Sequence, residues 1–225
     1  MTDQVTKLLL ALEDPAQVRR DEFLSWTRAL AGRDGVDRVE AEWLVQDAQT
    51  AHTSKPTRFF AFASLWLDPS LATSLIGEAP GPVRWFRLRE RLAFDRSARP
   101  DEARPWAGIK KTTPWAPVDG VDTRTWQARY TNHGHIARAY HATCVRYRQN
   151  VVLDGSDPTI AAVSELWWTN VEDLVERFYL SEEARQLLSV DTAGFVDAAR
   201  AHPTVTMHET IRVGTALTGT GGFLP

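Results

Sequence analysis

One order of hydrophobic periodicities runs through this chain twice, and that repetition limits its folds more than any single motif. In the first half, Val5 to Glu13 reads as a strand and Arg20 to Gly32 as a helix stopped by glycine. Val39 to Val45 and Arg58 to Leu67 read as two further strands, Leu71 to Ile76 as a short helix and Val83 to Phe94 as a last strand. The corresponding pieces of the second half are Ile109 to Trp115, Asp122 to Thr143, Cys144 to Leu153, Thr159 to Trp168, a broken helical stretch from Val171 to Ala199, and Val205 to Val213. Each half is one βαββαβ unit. Asp95 to Pro105, with its prolines and clustered charges, is the expected linker, which sets the units at residues 1–97 and 106–225.

A βαββαβ unit packs its helices on one face of an antiparallel sheet and leaves the other face open, so that face needs a partner sheet. Two units in one chain supply the partner internally. The expected fold is therefore α+β, with the halves closing as a pseudo-dimer around a barrel-like interior, and further assembly into a homodimer is optional.

The long helix of the second half carries the most distinctive residues. Trp126, Tyr130 and His133 follow one another at spacings of four and three, which places two aromatics and an imidazole on one helix face behind an Asp122 N-cap. A helix built only to pack would carry an aliphatic at position 133. The matching helix of the first half keeps the aromatics Phe23 and Trp26 but has no histidine after them. The architecture thus tolerates the loss of the imidazole, which favours a functional role for His133 over a packing one.

This helix resembles that of the EthD-like family of the dimeric α/β-barrel, or ferredoxin-like, superfamily, in which an aromatic, a tyrosine or tryptophan, and a histidine stand near the end of the first helix. The likeness continues through Tyr147-Arg-Gln-Asn150, Ser164-Glu-Leu-Trp-Trp168, and Asp191 with Phe195 before a last strand, covering most of the C-terminal half. It implies two ferredoxin-like units in tandem, of which the second, EthD-like one holds the site and the first lacks the motif histidine. Relatives in the same superfamily use an imidazole to bind haem inside this kind of barrel, and some family members are tied to oxidation chemistry.

Composition narrows the partners. With 225 residues, 43% of them hydrophobic, the chain can bury a sizeable core, and a net charge of −3 with interspersed signs favours neither nucleic acid nor a membrane surface. The single Cys144 excludes an internal disulfide, and the N-terminal apolar run Leu8 to Leu12 is too short for a signal peptide, so a reduced, cytoplasmic protein is expected. Nine tryptophans raise the expectation of a site for a flat apolar or aromatic small molecule.

Strand periodicity adds candidates. Val205, Met207, Ile211 and Val213 share an apolar face expected to meet the helices, which turns His208, with Thr206 and Thr210, toward the expected cavity. Arg146, Arg148 and Asn150 share one face of their strand, as do Val163, Glu165 and Trp167 of the next. His133, Tyr130 and His208 are the candidate catalytic residues, and Trp126, Asn150 and Trp167 the candidate substrate contacts. An imidazole titrates near neutrality and can take or give a proton, Tyr130 can bond the substrate, and an amide such as Asn150 can donate to a developing enolate or phenolate. No dinucleotide or phosphate-loop motif is present, and His133 and His135 point to different helix faces without a metal-binding motif, so neither cofactor nor metal is expected. These readings favour a cofactor-free lyase acting by dehydration, decarboxylation or carbon–carbon cleavage on an aromatic or polyketide-like molecule. The alternatives are a cofactor-independent monooxygenase and a non-catalytic carrier of apolar ligands.

Overall fold

A computed structural model describes residues 6–97 and 108–211, with side chains to residue 207. Eight strands form a closed antiparallel barrel: β1 (Thr6–Leu12), β2 (Val36–Leu44), β3 (Ala61–Leu67), β4 (Val83–Asp95), β5 (Ile109–Trp115), β6 (Arg146–Gly155), β7 (Ala162–Trp168) and β8 (Thr204–Ile211). Within the first half the sheet order is β4-β1-β3-β2, and the second half repeats it in the same direction round the barrel as β8-β5-β7-β6. The two sheets join at β2–β8 and β4–β6, where Glu42 pairs with His208 and Glu90 with Asn150. The expected α+β pseudo-dimeric barrel is thus the architecture found.

Each half wraps its helices on the outside. In the first, α1 (Arg20–Ala31) buries Phe23, Leu24, Thr27 and Leu30 and ends at Gly32, as its pattern predicts. Beneath it Leu8, Leu10 and Leu12 of β1 and Val39 and Ala41 of β2 complete a core that also takes in Trp26 and Trp43. In the second half α4 (Thr123–Tyr140) starts where Asp122 accepts a hydrogen bond from the Thr125 amide at 3.0 Å. It crosses its sheet closely at Gly134, where a Cβ would come within 2.9 Å of the Ala93 Cβ and 3.1 Å of Gln149 Oε1.

The remaining helices are short. They are α2 (Gln46–His52), α3 (Ala72–Gly77), α5 (Val171–Val175) and α6 (Glu182–Ala193). Sequence periodicity misses α2, which is polar, brief and preceded by Val45 with no capping side chain. Tertiary contacts hold it instead: Gln49 donates to the Pro203 carbonyl at 3.0 Å and accepts from the Val205 amide at 2.7 Å, tying the helix to β8. The expected linker falls mostly outside the described residues. Asp95, at its start, instead extends β4 and pairs with Arg146 at 2.8 Å. No helix among the described residues is long and apolar enough to cross a membrane.

The barrel lumen is filled in two layers. Toward one end Leu9, Ala11, Phe62, Phe86, Leu88 and Val163 form an apolar plug. Toward the other lies a buried ionic cluster, to which each half contributes a lysine at the second position of its first strand, Lys7 and Lys110. Glu165 binds both, its Oε1 receiving Lys110 Nζ at 2.5 Å and its Oε2 receiving Lys7 Nζ. Lys110 also reaches Glu42, and Arg148 donates to Glu40 at 3.1 Å. Burial alone would lower the Lys110 pKa, but Glu165, Glu42 and Glu40 raise it. Burial would likewise lift Glu165, yet Lys110, Lys7 and Arg148 hold it well below the usual carboxylate range. Mutual pairing is what makes so many desolvated charges tolerable.

Candidate active site

The same alternation that turns Lys110 and Thr112 into the lumen turns Lys111, Thr113 and Trp115 outward, toward the helices. There, between the outer face of the second half's sheet and the helices α4 and α6, lies an open cavity of about 950 Å³. In the first half the layer between sheet and α1 is occupied by the aliphatic and aromatic core just described. His52 and Lys55 of the first half also border the cavity, so both units contribute to its wall.

His133 stands on this wall, its side chain 11% exposed, with Nδ1 2.7 Å from Asp191 Oδ2 of α6. The Phe195 ring lies 5.4 Å away and the Tyr147 ring meets it edge-on at 6.1 Å. A carboxylate on one ring nitrogen fixes the tautomer and orientation of an imidazole, leaving Nε2 for proton exchange.

Tyr130, one turn earlier, also faces the cavity and is buried. Its hydroxyl lies 3.0 Å from Ser164 Oγ and donates to the Val163 carbonyl at 3.2 Å. Ser164 is a hub: it also accepts from Trp115 Nε1 at 3.1 Å and lies 3.4 Å from the Tyr147 hydroxyl. Burial raises the Tyr130 pKa well above the usual phenol value and Tyr147 to about 12, so both remain protonated donors.

The other candidates are placed elsewhere. Trp126 packs behind the cavity wall, edge-on to Trp115 at 5.7 Å. Asn150 and Trp167 point into the lumen: Asn150 accepts from Lys7 at 3.1 Å and donates to Glu165 at 2.8 Å, and Trp167 lies under Lys110 at 4.5 Å and Arg148 at 5.0 Å. The sheet separates both from His133. The expectation of a ligand cavity inside the barrel fails here because the lumen is occupied by its own charges and rings. In β8, Val205 packs with the outer core and Thr206 turns inward to Glu42 at 3.2 Å, as the alternation predicts, whereas Met207 is exposed. The His208 side chain lies outside the described residues.

Residues that sequence reasoning did not place at the site are Ser164, Tyr147, Lys111, Thr113 and His141. Period-two alternation carries the signal for most of them, but it does not say which sheet face is hollow. Asp191 and Phe195 enter the sequence reading only within the family resemblance, and the structure sets both against His133.

Comparison with solved structures agrees on architecture. An anthrone oxidase-like protein superimposes with a TM-score of 0.62 at 11% identity, covering 96% of this chain and 97% of that one. A structure named "putative monooxygenase from Lactobacillus acidophilus NCFM" gives 0.55 at 8% identity, covering 93% and 96%, and one of the same name from Fusobacterium nucleatum gives 0.54 at 8%, covering 99% and 98%. The fold is that of the dimeric α/β barrels. The chain matches no protein-family model and no curated protein sequence, so the EthD-like resemblance rests on its motif alone.

Proposed function

We propose that the protein is a small-molecule enzyme that begins with proton abstraction by His133 from an electron-rich aromatic or polyketide-like substrate held in the outer cavity. The observation that carries this reading is the His133–Asp191 pair set among Tyr130, Tyr147, Trp115 and Phe195. The carboxylate orients the imidazole, and the ring-lined wall suits a flat substrate. Tyr147, whose hydroxyl lies beside Ser164 and not on a carbonyl, can donate to a substrate oxygen as negative charge develops there, with Tyr130 packed next to it. This replaces Asn150 in the donor role.

Two outcomes are open to the resulting carbanion. It can expel a leaving group, which is lyase chemistry. It can instead give an electron to dioxygen and recombine to a hydroperoxide, which loses water to leave a carbonyl; overall CH₂ + O₂ becomes C=O + H₂O. We favour this cofactor-independent oxygenase reading, because the structural neighbours include proteins named for anthrone oxidase and monooxygenase chemistry. The test is oxygen uptake by the purified protein over a panel of anthrone-like and polyketide-like phenols, with His133→Ala in parallel. Uptake that falls by roughly 10²–10⁴-fold in the variant is expected. Turnover that persists without oxygen would favour the lyase, and saturable binding without turnover would favour a carrier.

A further inference from the structure

Lys111 stands on the cavity wall without a counter-ion. Among the described residues its ammonium makes no hydrogen bond or ion pair, and it stands over the rings of Phe178 and Trp168, with Nζ 4.5 Å and 5.6 Å from their centroids. Two further polar atoms at this wall are buried and unbonded: Thr113 Oγ1, two residues along β5, and His141 Nδ1. His141 is only 5% exposed, stacked on Phe178 at 4.3 Å with the planes 11° apart. Glu176, exposed to solvent on the adjoining pocket that Lys111 also borders, makes no ion pair with it, and the other carboxylates on or near the cavity have partners already. Asp119 and Asp197 bind Arg200, Asp191 binds His133, and Glu182 binds Arg185. The remaining charged or titratable neighbours, His52, Lys55, Arg185, Tyr179 and the buried Cys144 thiol, add no anion.

A half-buried ammonium facing a cavity without an anion is unfavourable, and two buried, unbonded polar atoms stand on the same wall. We propose that this wall is a carboxylate subsite, so that the ligand of the cavity is an aromatic acid whose carboxylate accepts hydrogen bonds from Lys111 Nζ and the Thr113 hydroxyl. His141 Nδ1 serves an adjoining polar group as donor or acceptor, according to its tautomer. The inference rests on the cavity being a ligand site and adds the charge of what it takes. It also assigns an attractive role to a lysine that otherwise weakens the fold. Burial lowers the Lys111 pKa to about 8, and its charge, after burial itself, depresses His52 to about 3 and His141 well below the ordinary imidazole range. At neutral pH the subsite therefore holds one cation beside two neutral imidazoles.

The test is binding of naphthalene-2-carboxylate and the neutral naphthalene-2-carboxamide, followed by tryptophan quenching and calorimetry at pH 7. The wild type should prefer the acid by tenfold or more, and Lys111→Met should erase the preference while amide affinity stays unchanged, which also shows that the variant is folded. Lys55→Ala and Arg185→Ala should keep the preference, and it should fade as pH rises beyond the titration of Lys111. Equal affinity for the two probes, no binding of either, or a preference that survives in Lys111→Met would overturn the proposal. A preference for the acid in a protein that consumes no oxygen would refute the oxygenase reading and leave the subsite standing.

Discussion

Lys110 and Lys111 are neighbours on one strand, yet they sit in opposite electrostatic worlds. Lys110 points into the lumen, where Glu165 and Glu42 hold it charged, and Lys111 points into the outer cavity, where no carboxylate pairs with it and burial is the largest influence on its pKa. The first region is closed, and its charged groups are paired with one another. The second is open and leaves polar atoms unsatisfied. A charge buried with partners supports structure; one facing a cavity without them marks a place for something else.

That contrast can be broken by substitution. The largest expected effect is on activity: His133→Ala should cut turnover by about 10²–10⁴-fold with little change in melting temperature, which steady-state kinetics beside calorimetry will check. Lys110→Met should do the opposite, costing about 3–5 kcal/mol of stability by stranding Glu42 and Glu165, measured by urea unfolding. Lys111→Met should stabilise the protein by about 1–3 kcal/mol at pH 7, since the folded pKa of about 8 lies below an unfolded value of about 10.4 and water in the cavity softens the penalty. The sign follows from the depressed value. Stability is lost below about pH 8 and regained as pH rises toward 10.4, so the gap between variant and wild type should close over that interval. A constant gap would refute the burial argument. Gly134→Ala should cost about 1–3 kcal/mol, because the new methyl meets Ala93 and Gln149. Ser164→Ala should cost about 1 kcal/mol by releasing Trp115 and the two tyrosines, visible as a small shift in thermal midpoint.

The barrel was legible in the sequence because strand and helix periods repeat in the same order in both halves, and the hydrophobic pattern fixes register within each strand. His133 and Tyr130 were legible for the same reason, as residues on the buried face of one helix. Asn150 and Trp167 were assigned to their shared strand faces correctly but not to the right compartment. Alternation separates two faces without stating that one is packed with salt bridges and the other hollow. That depends on Glu40 and Glu42 of β2 converging with Glu165 of β7, strands far apart in the sequence. The polar helix α2 was invisible because its stability comes from Gln49 bonding to β8 and not from its own pattern.

Glu165 shows what joining the two units in one chain permits. Its counterpart in the first half, at the same place on the third strand two residues before the lumen tryptophan, is Ser64. In a barrel made from two identical chains every residue facing the axis has a twin, so a carboxylate there would confront its own copy, and like charges brought together in a dry interior repel. Fusion lifts that rule of equality. One acid can stand alone between two lysines, and the centre of the molecule can be neutralised by an odd number of groups.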